Sequence, residues 1–207
     1  MRHELLTGVI LSALLSCSIS VSAKESSAQA GREGNWKSST QGAPSVEASR
    51  KRVEQNPKDA IAHNDLGWAL RQNNDLKGAE QELREALKLD PGLSYAHSNL
   101  SVVLLDTNRA AEAAEEAKTS VQLDAKQPIF RVVYGNALAA TGDRKGAIDQ
   151  YRKAVELRPD YENALYNLGR VLLDDGQSAE AKVVLSQALA LDPKDDRVLK
   201  ILDKIID

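Results

Sequence analysis

Asn64-Asp65-Leu66-Gly67-Trp68 and Tyr166-Asn167-Leu168-Gly169 decide how this chain folds, because their Leu-Gly pairs stand in one phase of a 34-residue period. Ser101 and Gly135 fill the intervening steps, giving the column Gly67, Ser101, Gly135, Gly169. Ala79, Ala113, Ala147 and Ala181 form a second column, and Ala86, Ser120, Ala154 and Ala188 a third. Pro57, Pro91, Pro159 and Pro193 form a fourth, with Ala125 where one proline is missing. Columns in one phase mark an internal repeat, each unit a supersecondary structure that buries its apolar face by stacking on the next. The units run 60–93, 94–127, 128–161 and 162–195.

Each column has a physical reason. The Gly67 and Ala79 columns face each other within a helical hairpin, where a hydrogen or a methyl group lets ridges enter grooves. Leu70, Leu104, Leu138 and Leu172 recur in the first helices and Leu83, Ala117, Tyr151 and Leu185 in the second, filling the interior. Asn74, Asn108, Gly142 and Gly176 share the position between the helices. Both residue types tolerate the left-handed backbone that ends a helix. The prolines end each second helix, since the residue before proline is pushed out of the helical region. The second unit has Ser101, Ser120 and Ala125 in place of Gly, Ala and Pro, which predicts a slightly longer second helix and a following helix opened by Pro128.

These columns resemble the tetratricopeptide repeat (TPR) family, and the resemblance covers about two thirds of the chain. It implies an all-α, right-handed superhelical solenoid of helix-turn-helix repeats. Residues 44–59 precede the first unit in the phase of a second helix and read as a half-repeat. Residues 196–207 form one amphipathic helix, with Val198, Leu199, Ile201, Leu202, Ile205 and Ile206 on one face, which closes the last apolar surface.

Composition agrees. Ala and Leu number 28 and 27 among 207 residues, which favours helix over strand. The net charge of −3 gives no basic footprint for nucleic acid. One Cys excludes a disulfide framework. Arg50-Lys51-Arg52 reads as a solvated face of the leading helix. His63 and His97 occupy one repeat position, but the column continues with Arg131 and Leu165, so no metal site is completed. With no phosphate loop, nucleophile elbow or catalytic Cys, the chain reads as no enzyme and needs no cofactor or metal.

Residues 1–23 read as a signal peptide, with Arg2 before the apolar run Leu5–Leu15. Two cleavage patterns compete: Val21-Ser22-Ala23 suits a conventional signal peptidase, while Leu14-Leu15-Ser16-Cys17 resembles a bacterial lipobox ending at residue 16, with Cys17 as candidate lipidation site. Either predicts export, to the periplasm or as a lipoprotein facing it, with membrane contact only through the anchor. Residues 24–43, rich in Gly, Ser and Gln, read as a flexible linker.

In the TPR family the first helices line a concave groove. The resemblance places Asn64, Trp68, Tyr95, Asn99, Asn136, Tyr166, Asn167 and Arg170 there. The family's carboxylate clamp for chaperone C-termini is absent, since the corresponding positions hold Asn64, Trp68, Asn99, Ile129 and Val133. Asn99 and Asn167 match the asparagine ladder of the O-GlcNAc transferase superhelix, interrupted here by Asp65 and Val133. Asparagine amides suit the backbone of an extended peptide, and Trp, Tyr and Arg are natural anchors. The implied function is a protein-interaction scaffold that binds a protein or extended peptide, resembling TPR lipoproteins that assist envelope assemblies such as type IV pili. The alternative is a substrate-recruiting module for an enzyme on a separate chain.

Overall fold

The computed structural model describes residues 45–205, which form ten helices and no strand among the described residues. They are α1 (Val46–Gln55), α2 (Ala60–Gln72), α3 (Leu76–Leu89), α4 (Ser94–Asp106) and α5 (Ala110–Leu123), followed by α6 (Pro128–Thr141), α7 (Arg144–Leu157), α8 (Glu162–Asp174), α9 (Ser178–Leu191) and α10 (Asp196–Ile205). The signal segment, the linker, Cys17 and Ile206 lie outside the described residues. First helices begin at Ala60, Ser94, Pro128 and Glu162, and α10 begins at Asp196 in the same phase. One leading helix, four hairpins and a cap make a right-handed solenoid of the TPR type.

The turns inside the hairpins follow from single residues. Asn74, Asn108, Gly142 and Gly176 all have positive φ, at 64°, 60°, 88° and 81°. The left-handed residue reverses the chain so that the next helix folds back on the first. Asp59, Asp75 and Asp143 then cap the helices after them, each accepting a backbone N–H from the first turn.

The absent proline at Ala125 does not lengthen α5. That helix ends at Leu123, in phase with Leu89, Leu157 and Leu191. The stop comes from the aspartate before it: Asp124 Oδ1 accepts from the Lys126 N–H, as Asp90 does from Gly92 and Asp192 from Lys194. Such an aspartate-capped turn fixes the backbone without a pyrrolidine ring. Pro128 does open α6.

The interior is a continuous file of small and large residues. Ala79, Ala113, Ala147 and Ala181 are fully buried. The glycine column faces more than the alanine column, because a Cβ on Gly67 would meet Leu83 Cγ at 2.7 Å before the Ala79 carbonyl at 3.1 Å. One apolar cluster joins the first two hairpins to α6, and a second joins the last two to the cap, where Val198 is fully buried. The leading helix inserts Val46 and Val53 against the first cluster.

Adjacent helices along the chain touch, and in addition α2 meets α4, α4 meets α6 and α6 meets α8. First helices thus approach one another more closely than second helices do, which curves the stack and puts the first helices on its inside.

Candidate binding groove

Trp68 on α2 lies half-buried with the Arg71 guanidinium 5.0 Å above its ring. Arg71 is held from the other side, its Nε donating to Asp106 Oδ2 of α4 at 2.6 Å. Tyr166 on α8 is similarly half-buried beneath Arg197 of α10, at 4.7 Å. Both rings therefore carry a guanidinium over one face.

Tyr95 is buried and packs edge-on against Phe130, ring centres 4.9 Å apart. It supports the groove wall from within. Asn64 is also buried, and its Oδ1 accepts from Asn99 Nδ2 at 2.9 Å. Its own Nδ2 donates to Asp65 Oδ1 at 3.4 Å. The two asparagines thus couple α2 to α4, while Asn99 stays half-buried on the inner face.

Asp65 carries the network further, accepting from Arg52 of α1 at 2.5 Å. The basic run of the leading helix is therefore not wholly a solvated face: Arg50 and Lys51 are exposed, but Arg52 neutralises a buried carboxylate in the first hairpin. Burial pushes the Asp65 carboxyl above the usual carboxylate range, and the Arg52 bond and charge offset only part of that.

At the other end Asn167 is half-buried and Arg170 exposed on α8. Asn136 of α6 accepts from the Tyr151 hydroxyl at 2.7 Å, and the Arg170 charge lies near the same hydroxyl. Burial raises the Tyr151 phenol well above its ordinary range, so it stays a neutral donor. Asn136 and Arg170 line one cavity of about 320 Å³, together with Ala139, Ala140, Arg144 and Asp174. The inner face therefore has two polar centres, Asn64–Asn99 and Asn136–Arg170. Val133, which is buried, lies between Asn99 and Asn167 in the same column.

The histidine column does not converge on a point. His63 Nδ1 lies 2.6 Å from Glu82 Oε2 and its Nε2 lies 3.1 Å from the Pro57 carbonyl. His97 repeats both distances with Glu116 and Pro91. Arg131, next in the column, keeps the geometry with other chemistry, donating to Gln150 Oε1 and to the Ala125 carbonyl. The column is a tie between the first helix, its partner and the preceding turn.

Arg144 and the Arg52–Asp65 pair were not marked by the repeat pattern. Arg144 is the first residue of α7 and reaches the cavity because Gly142 turns the chain beside it.

Comparison with known proteins places this architecture. Models described as tetratricopeptide repeat match residues 39–94, 94–118 and 162–195, and one described as TPR repeat matches 135–176. The type IV pilus assembly protein PilF of Pseudomonas aeruginosa is 29% identical over 139 residues, 65% of this chain and 53% of that protein. Human protein O-mannosyl-transferase TMTC3 is 28% identical over 152 residues, 66% of this chain and 17% of that protein. Human tetratricopeptide repeat protein 6 is 24% identical over 149 residues, 72% of this chain and 28% of that protein. The chain thus spans between about a sixth and about half of these relatives. Among solved structures, PilF of Pseudomonas aeruginosa matches with a TM-score of 0.67 at 25% identity, covering 72% of this chain and 68% of that one. YrrB, described as a TPR protein with an unusual peptide-binding site, matches at 0.63 and 23% identity, covering 79% of this chain and 93% of that one.

Proposed function

We propose, from the premise that the chain belongs to the tetratricopeptide repeat family, that it is a non-enzymatic scaffold of the bacterial envelope holding an extended protein segment in its inner groove. The observation that carries this reading is the row of half-buried or exposed Trp68, Asn99, Asn136, Tyr166, Asn167 and Arg170, all on first helices of the inner row. Amides there pair with a peptide backbone, and the aromatic rings supply apolar area with little loss of side-chain entropy. The likeness to the pilus assembly protein PilF supports an assembly role at the envelope. Its place is fixed by the N-terminal segment, through either the cleavage after Ala23 or acylation at Cys17. Among the described residues no helix is long and apolar enough to cross a membrane.

Partner capture from a membrane-plus-periplasm fraction tests this. Trp68→Ala, and separately Asn99→Ala with Asn167→Ala, weaken capture by roughly thirtyfold, corresponding to about 2 kcal/mol for an interface hot spot. Charge reversal at Lys88 or Glu156, both exposed on second helices, leaves it unchanged. Loss of capture by the outer-face variants alone refutes a groove-bound segment.

The match to a transferase over 17% of its length favours one second reading, in which the repeats recruit substrate for a catalytic chain. Co-purification of an enzyme with the bait separates that reading from a purely structural scaffold.

A further inference from the structure

Three of the four polar side chains that line the cavity between α6 and α8 are donors: Asn136, Arg144 and Arg170. Arg144 and Arg170 bring two guanidiniums to it, against one carboxylate, Asp174. Neither arginine has a carboxylate within ion-pair distance among the described residues. Asn136 is oriented as a donor too: the Tyr151 hydroxyl occupies its Oδ1, leaving the Nδ2 hydrogens for a ligand. Tyr151, whose hydroxyl orients Asn136, is fully buried, and the Arg170 charge lies near the same hydroxyl. At about 320 Å³ the space lies at the lower limit of ligand pockets, roughly 300 Å³, and admits one residue rather than a whole small molecule. Ala139 and Ala140 give it a floor without long side chains.

We propose that this cavity takes the carboxylate of one residue of the bound segment, from an acidic side chain or a free C-terminus. The inference rests on the groove reading above and adds the chemistry of the partner. The two guanidinium charges exceed the single charge of Asp174 by one, so a guanidinium is free to pair with the incoming carboxylate, while Asn136 Nδ2 donates to its second oxygen. Planar guanidinium and carboxylate match in fork geometry, which makes such pairs stronger than neutral hydrogen bonds. Asp174 lowers affinity for any anion and penalises one of higher charge more, so the site suits a single carboxylate.

The test uses the full chain, isotopically labelled, with nuclear magnetic resonance read at the Asn136 side-chain amide and the Arg170 Nε–H. The probes are N-acetylglutamate α-amide, which carries only a side-chain carboxylate, N-acetylalanine, which carries only a terminal one, and neutral N-acetylglutamine α-amide. At least one acid shifts these signals saturably, with a dissociation constant on the order of millimolar for so small a ligand, and the neutral amide does not. The acid that binds more tightly identifies the source. Arg170→Gln weakens binding by about tenfold or more, and Asp174→Asn strengthens it, with the helical circular dichroism spectrum of both unchanged. Equal shifts from the neutral amide, or no gain in Asp174→Asn, overturn the proposal. If groove variants such as Trp68→Ala abolish partner capture while the acids fail to bind, the scaffold reading stands and the carboxylate site falls. If the acids bind and the groove variants leave capture intact, the reverse holds.

Discussion

The Cβ that Gly135 lacks would lie 2.6 Å from Cε1 of Tyr151, on a ring that is fully buried and pinned by its hydroxyl to Asn136. The same relation joins Gly67 to Leu83 and Gly169 to Leu185. In the second hairpin the corresponding pair is Ser101 and Ala117: the side chain added on one helix is matched by one removed from the other.

Gly135→Ala therefore lowers stability although alanine is the better helix former by about 1 kcal/mol. The expected net loss is about 1–3 kcal/mol, the usual cost of overpacking, read as a lower melting temperature. Ala117→Leu carries a similar penalty against Ser101, and adding Ser101→Gly restores most of it. Failure of that rescue shows that the two positions do not share one space.

Removing exposed Arg52 at the N-terminal end leaves buried Asp65 without its charged partner. Arg52→Ala costs about 1–3 kcal/mol, the range for orphaning a buried polar group, and denaturant titration reads it. The pH dependence has a definite sign. The folded Asp65 holds its proton to higher pH than the unfolded one, so stability falls as pH rises from the ordinary carboxylate value through the raised folded value. Asp65→Asn removes that fall.

His97 acts in a higher pH window. Burial pulls its pKa down, but the hydrogen bonds to Glu116 and to the Pro91 carbonyl outweigh this and leave it raised. Both partner atoms are oxygens, so the doubly protonated ring donates to each. Its contribution is complete below the ordinary imidazole pKa and is lost as pH rises through the raised folded value. Glu116→Gln flattens the melting temperature across that window, and an unaltered pH profile refutes the assignment.

Export is tested at the N-terminus. If acylation anchors the protein, Cys17→Ser moves it from the membrane fraction to the soluble one and abolishes fatty-acid labelling. A mature chain beginning at Lys24 shows cleavage after Ala23 instead.

The helix phases and the left-handed turns were legible in the sequence because the repeat displays each constraint four times over, as at Asn74, Asn108, Gly142 and Gly176. The end of α5 was misread because proline is a conspicuous stop and Asp124 is not, although the aspartate does the same work in the turn. The Arg52–Asp65 pair lies outside the reach of periodicity, since α1 has no complete repeat to compare with and its docking sets the contact. Of the candidate groove residues, the family resemblance assigned the row but not the depth. Asn64 and Tyr95 are buried because Asn99 and Phe130 of neighbouring first helices close over them, a relation between units that one unit's pattern does not contain.

The substantial contacts of every helix fall within two helices along the chain, from α1 on α2 to α9 on α10. The loops that must close during folding are accordingly short, and chains with such local contacts fold quickly, in the microsecond-to-millisecond regime. Among the described residues no hairpin depends on a distant element to complete it, so nucleation starts at any of the four and spreads both ways. A chain delivered gradually, from a ribosome or through a translocation pore, thus gains native structure as it emerges, with its unfinished apolar surface confined to the newest hairpin until the next one covers it.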